Sequence, residues 1–179
     1  ISVKKVKSFK FKKKSKNEIF HKEVINAFPF LIANPWVYQF YSSELSKSQE
    51  ENHTLEFFRD LRKVYQSKDE NKVLEMVSKY IGSTGEEGRL EYLEFPHKDE
   101  VFQSIRDSMD EFEDMKPGVL DPLMRPVAEI LLNQWEEFCL EESRRTEIQQ
   151  FLKNLKKTKK KLLKTGILNE IANERVNNL

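Results

Sequence analysis

Leu55, Phe57, Phe58, Leu61, Val64 and Tyr65 recur at spacings of three and four, which puts all six on one broad face of a helix. Ser48 followed three residues later by Glu51 reads as a capping box ahead of it. The same period returns along the chain: in Trp36, Val37, Phe40, Tyr41 and Leu45; in Val73, Leu74, Val77, Tyr80 and Ile81; in Val101, Phe102, Ile105 and Met109; in Val127, Ile130, Leu131, Trp135 and Phe138; and in Ile148, Phe151, Leu152, Leu155 and Leu162. Gly 5 and Pro 6 in 179 residues, with 34% charged side chains, suit long exposed helices better than a turn-rich sheet protein. The expected fold class is all-α, and the 13 Phe belong to a core large enough to stand alone.

Prolines and glycines mark the expected joints. Pro29 and Pro35 limit residues 18–35 to two short helices, with Asn34 as cap and Pro35 in the first turn of the next. Residues 83–88 read as a loop and Lys116-Pro117-Gly118 as a turn. Asp121-Pro122 looks like an N-cap followed by Pro at the first helical position, and Pro126 predicts a tight start with a small kink. A break near Asn133–Gln134 is compatible with the pattern without being demanded by it. A long helix from Glu142 is expected to end at Gly166, and Ile167, Leu168, Ile171 and Ala172 suggest a short final helix.

Charge is unevenly spread behind a formal net charge of +1. Residues 1–16 hold eight Lys and no acid, residues 85–114 hold eleven acids against three bases, and residues 153–164 hold seven Lys and no acid. The expected organisation is a basic arm over 1–17, a helical domain over 18–142 and a basic helical extension over 143–179. The arm alternates weakly between Val3 and Lys12 and reads either as a chain end without structure of its own or as a surface arm. In the second case Lys10, Lys12, Lys13 and Lys14 contact an anionic membrane or a neighbouring domain. Lys156, Lys157, Lys159, Lys160 and Lys161 are either a solvated face or a second contact of that kind. Nucleic acid is disfavoured because no aromatic residues interleave with the lysines. The chain opens on Ile1 rather than Met, so it is expected to be a piece of something larger.

The chemistry-bearing residues point away from an active site. There is no P-loop, dinucleotide loop or nucleophile elbow. His21, His53 and His97 are widely separated, so no metal is expected, and no cofactor either. The single cysteine, Cys139, follows Phe138 and reads as a small buried hydrophobe. Glu136–Glu137 and Glu141–Glu142 read as solvated faces. No apolar run approaches the length of a membrane span, and one cysteine fits a reducing compartment. The expected location is cytoplasmic, with peripheral contact at the inner face of the plasma membrane. Trp36, Trp135, Phe57 and Phe58 are expected in the core, and Glu51, Asn52 and His53 at the surface.

FYSSELSKSQEENHTLEFFRDLRKVYQ at 40–66 resembles the central part of a regulator of G-protein signalling domain: an aromatic-led helix, a Glu-Glu-Asn turn, then a helix opening Leu/Ile-Glu-Phe-Trp. NKVLEMVSKYI at 71–81 and LEYLEFPHKDEVFQSI at 90–105 are similar to the elements that follow in that family. LDPLMRPVAEILLNQWEEFCLEE at 120–142 resembles its Phe-Asp-x-Ala-x-x-x-Val-x-x-Leu helix and the Ser-Tyr-x-x-Phe-Leu helix after it. The four pieces stand in family order over roughly residues 24–142. The resemblance implies a two-lobed helical bundle whose loops clamp the switch regions of a G-protein alpha subunit. It implies GTPase activation by positioning, with no active site in the regulator itself.

The implied contact residues are Glu51, Asn52, His53, Thr54, Glu94, Asn133, Gln134 and Glu137. Several depart from the family. His53-Thr54 is inserted after the Glu-Glu-Asn turn, so either the loop bulges or Thr54 takes the Asn place. Glu94 stands where the family has a loop Asn, Asn133-Gln134 replace an Asp-Ser pair, and Glu137 replaces an Arg. Reversed charge matters at an interface that reads charge. The competing expectation is a divergent helical scaffold without activity that contacts a membrane, or an adjacent exchange-factor or kinase domain.

Overall fold

A computed structural model describes residues 16–48, 51–67, 69–83, 85–111, 117–158 and 166–179, without the side chains of 110 and 111. Eight helices are found among them. We label them α1 (16–27), α2 (Pro35–Lys47), α3 (His53–Ser67), α4 (Glu70–Tyr80), α5 (Lys98–Glu111), α6 (Asp121–Leu140), α7 (Arg145–Thr158) and α8 (Gly166–Asn177). The described strand is limited to the two-residue pair β1 (Gly82–Ser83) and β2 (Glu86–Glu87). The chain is therefore all-α, as the 3.6-residue period predicts. Lys10, Lys12, Lys13, Lys14, Lys159, Lys160 and Lys161 lie outside the described residues, as do the alternation at Val3–Lys12, Leu162, Glu50, Thr84 and Lys116.

Contacts divide the chain into two units, one of residues 39–131 and one of the described residues up to 38 together with those from 132 onward. In the first unit, α3 contributes Leu55, Phe57, Phe58, Leu61 and Val64 to the core, α4 contributes Val73, Met76, Val77 and Tyr80, and α5 contributes Phe102 and Ile105. Tyr65 does not follow its stripe. It is exposed at the edge of α3, and its hydroxyl donates to Asp121 Oδ1 at 2.9 Å. Leu74 is likewise exposed and Met76 takes the inward place, because α4 presents its 73/76/77/80 positions to α3. Val101 and Met109, expected on the buried face of α5, are half-buried.

Local chemistry sets the ends of these helices. Asp69 caps α4 by accepting from Asn71 N at 3.0 Å. After α4 the expected loop contains a short antiparallel pairing, Gly82 with Glu87 and Ser83 with Glu86. Gly82 has φ 95, and a Cβ there would stand 2.3 Å from the Glu86 carbonyl oxygen, so only glycine closes this turn. The capping box expected from Ser48 and Glu51 is not what starts α3. Ser48 instead bonds back to the Leu45 carbonyl and closes α2 (Oγ–O 2.8 Å), and Asn52 caps α3.

In the second unit, the 3₁₀ turn Phe28–Phe30 follows α1 and packs against α8. Trp135 is fully buried and donates its indole N–H to the Val24 carbonyl at 2.8 Å, which ties α6 to α1. Residues 143–179, read from sequence as an extension, contribute Ile148, Phe151, Leu152, Leu155, Leu168, Ile171 and Ala172 to this core. Gly166 begins α8, and residues 159–165, which include the approach to the expected helix end, lie outside the described residues. Trp36 is 42% exposed, contrary to the core expectation. Its ring stacks on Phe151 at 5.0 Å and covers that side chain from solvent. Helix α6 runs for 20 residues through Pro126 and past Asn133–Gln134 without a break. No described helix is long and apolar enough to cross a membrane.

Candidate interaction surface

The turn before α3 is organised by Asn52. Its Oδ1 accepts from Leu55 N at 3.0 Å and from Thr54 Oγ1, its carbonyl accepts from Glu56 N at 3.1 Å, and its Nδ2 donates to Tyr41 Oη at 3.2 Å. One carboxamide thus fills the cap position of α3 and joins it to α2. Thr54 is fully buried, so its hydroxyl serves the turn and is closed to a partner. Asn52 therefore holds the turn, with Thr54 behind it.

Glu51 and His53 are the outward side of this turn. Glu51 is exposed, and its carboxylate lies 3.4 Å from His53 Nε2. His53 packs edge-on against Tyr92, with ring centroids 5.9 Å apart. His53 Nδ1 is buried and has no hydrogen-bond partner among the described residues. Tyr92 is 55% exposed, and partial burial of the residue raises its phenol pKa. Tyr92 was missed at the sequence level, where Leu90, Tyr92, Leu93 and Phe95 form one apolar approach to Pro96. The available signal was the spacing of three between the two leucines: Leu90 and Leu93 point in, while Tyr92 and Glu94 are left exposed.

The segment carrying Tyr92 is held from both ends. Leu90 N bonds to the Tyr80 carbonyl at 3.0 Å, and Leu93 N to the Leu90 carbonyl at 3.0 Å. Lys98 donates to the Glu91 carbonyl and lies over the Phe102 ring at 5.7 Å. His97 adopts φ 62, a left-handed conformation uncommon outside glycine, and its carbonyl starts α5 by accepting Val101 N at 2.9 Å. The 51–54 turn and the 91–97 segment are therefore fixed surface features, brought together by the His53–Tyr92 contact.

Behind this surface lies a charge network. Tyr80 Oη donates to Asp60 Oδ2 at 2.7 Å, and Glu56 Oε1 lies 3.2 Å from the same hydroxyl. Lys79 Nζ bonds to Asp60 Oδ2 at 2.7 Å and pairs with Glu56, which Arg89 also contacts. Burial alone would raise both carboxyl pKa values. The Lys79 hydrogen bonds and charge, with Arg89 on Glu56 and Tyr80 on Asp60, outweigh it and hold both below the ordinary range. Burial, with the two carboxylates, pushes the Tyr80 phenol well above its ordinary value, so it remains a donor. Two acids facing two bases and a phenol make a closed structural cluster.

Asn133, Gln134 and Glu137 belong to the other unit. Asn133 is exposed on α6, and its Oδ1 accepts from Arg175 Nη1 at 2.9 Å. Gln134 is half-buried and Glu137 exposed. Glu136, expected on a solvated face, is mostly covered: His21 Nε2 lies 2.7 Å from its Oε2, and Arg175 bonds to its Oε1. That contact ties α1 and α8 to α6, and the one-letter neighbourhood of Glu136 gives no hint of it. Lys156 pairs with Glu23 at 2.7 Å, and Lys157 is exposed. Cys139 is buried, which raises its thiol pKa well above the ordinary value. The Arg144 charge opposes that shift and the Glu136 charge adds to it. No cluster among the described residues has the ligand set of a metal site. Comparison of the chain with protein-family models, curated proteins and solved structures found no match.

Proposed function

We propose that this chain is a divergent regulator-type signalling domain with an RGS-like two-lobed arrangement, which binds a G-protein alpha subunit through the 51–54 turn and the 91–97 segment. The observation that carries the reading is the His53–Tyr92 contact, which sets side by side two turns that the sequence resemblance assigns to the partner interface. Glu51, His53, Tyr92 and Glu94 are the groups offered outward. Such a domain accelerates GTP hydrolysis by holding the partner's switch regions and contributes no reacting group of its own.

A second reading is supported by a specific feature of α6. The helix is unbroken at Asn133–Gln134, where the family has an interhelical turn, and the Asn133 carboxamide is engaged by Arg175. On this reading the chain is a non-catalytic helical scaffold that contacts an adjacent domain or an anionic membrane. The decisive experiment measures binding to several classes of alpha subunit loaded with GDP, with and without aluminium fluoride. Selective binding to the fluoride form, lost in Tyr92→Ala, supports the regulator. Absence of binding across the classes overturns it and leaves the scaffold. Pelleting with anionic against neutral vesicles then tests the membrane arm of the second reading, whose attraction should fade with salt.

A further inference from the structure

An open cavity of about 590 Å³ lies between the end of α4, the β1–β2 turn and α5, lined by Ser78, Gly82, Ser83, Gly85, Gln103, Arg106 and Met109. Its cation is Arg106. One guanidinium nitrogen, Nη2, donates to the Ile81 carbonyl at 3.1 Å, which fixes the planar fork against the start of the β-turn. The remaining N–H groups of Arg106 have no partner among the described residues, and neither do the hydroxyls of Ser78 and Ser83. Among the described residues, none that lines the cavity is a carboxylate. Asp107, the next residue along α5, accepts from the Gln103 amide at 2.8 Å.

We propose that this cavity binds a small phosphate monoester, with Arg106 as a bidentate anchor and the Ser78 and Ser83 hydroxyls as additional donors. A guanidinium already oriented by one backbone bond loses little freedom when its other face takes two oxygens. Gly85 supports access: it has φ 85, and a Cβ there would meet nothing within 4 Å. The surrounding carboxylates repel anions at longer range, so occupancy rests on the short-range fork. The expected affinity is millimolar. The site uses none of the residues assigned to the partner surface, so it stands or falls separately from the regulator reading.

The test is an NMR titration of the full chain at constant ionic strength with O-phosphoserine, with its N-acetyl amide form, and with serine as control. Saturable shifts at Ser78, Gly82, Gly85 and Arg106 with a phosphorylated probe, absent with serine, are expected. Tighter binding of the blocked form assigns a phosphorylated protein segment as the source, and tighter binding of the free form a small metabolite. Arg106→Gln should weaken binding about tenfold or more, the loss of one charge-assisted pair. Because that change also removes the bond to Ile81, Gln103→Glu provides a second variant. It places a carboxylate in the cavity wall at an exposed position and should weaken binding to a similar extent. No saturable shift, an equal response to serine, or unchanged affinity in Gln103→Glu overturns the proposal.

Discussion

Asn52 and Asn133 put the same carboxamide to two different uses. Asn52 stands at a helix start, where unpaired backbone N–H groups need acceptors, and it is engaged by Leu55 N, Thr54 Oγ1 and Tyr41 Oη. Asn133 stands in the interior of α6, where the backbone is already satisfied, and accepts one bond from Arg175 at the surface. The first is part of the fold and the second decorates it. Both were candidates for partner contact, yet neither is a free group waiting for one. What the turn before α3 offers outward is the side chain after its cap, His53, together with Tyr92.

Asn52→Ala is the variant that should break this contrast most forcefully. It removes a helix cap and strips one acceptor from the buried Thr54 hydroxyl, at a cost of about 2 kcal/mol in urea unfolding. Asn52→Asp keeps the acceptor oxygen at the helix N-terminus and loses only the donor to Tyr41. It should stay within about 0.5 kcal/mol of the parent chain. Equal destabilisation by both changes would show that the donor to Tyr41, not the cap, is the important half. Loss of partner affinity in Asn52→Ala therefore cannot be read as a lost contact unless Asn52→Asp loses it too.

The network behind the turn sharpens the comparison through pH. Glu56 and Asp60 have folded pKa values below their ordinary ones, so the folded state holds their protons less tightly than the unfolded state does. Their contribution is present above the ordinary carboxylate range, about pH 4, and is lost as pH falls through the depressed folded values. Replacing both by Glu56→Gln and Asp60→Asn should lower stability near neutrality, and the gap from the parent chain should close in acid. A gap that stays constant down the acid range would show that the two carboxylates act through packing or hydrogen bonding alone. Tyr92→Ala should cost about 0.5–1 kcal/mol, the edge contact with His53, measured by the same unfolding experiment. On the regulator reading its larger effect is on alpha-subunit affinity.

The helices were legible because apolar period is a local property. Phe57, Phe58, Leu61 and Val64 needed only their spacing to be placed in the core of α3. Helix starts were less legible, because Ser48–Glu51 and Asn52 compete for the same role within five residues and sequence does not show which backbone N–H groups remain unpaired. Trp36 and Tyr65 were misread for a related reason: each sits at the edge of an apolar stripe, where Phe151 and Asp121 decide its exposure. The candidate surface was half visible. Glu51, His53 and Glu94 came from their turns, while Tyr92 and the covered Glu136 depend on residues 39 and 115 positions away in the chain.

Asn133→Ala supplies the quiet end of the comparison. Arg175 loses one neutral acceptor but keeps its ion pair with Glu136, so the tie between α6 and α8 survives. Alanine also has the higher helix propensity at an interior position of a 20-residue helix, which offsets part of the lost bond. The expected change in stability is below about 0.5 kcal/mol. Such a variant remains folded, so a drop in alpha-subunit affinity would assign Asn133 to the interface directly. Unchanged affinity in Asn133→Ala, beside lost affinity in Tyr92→Ala, would confine binding to the 51–54 and 91–97 segments. A large loss of stability would instead mean that the Asn133–Arg175 bond positions the guanidinium on Glu136, and that this exposed carboxamide is as structural as the one at Asn52.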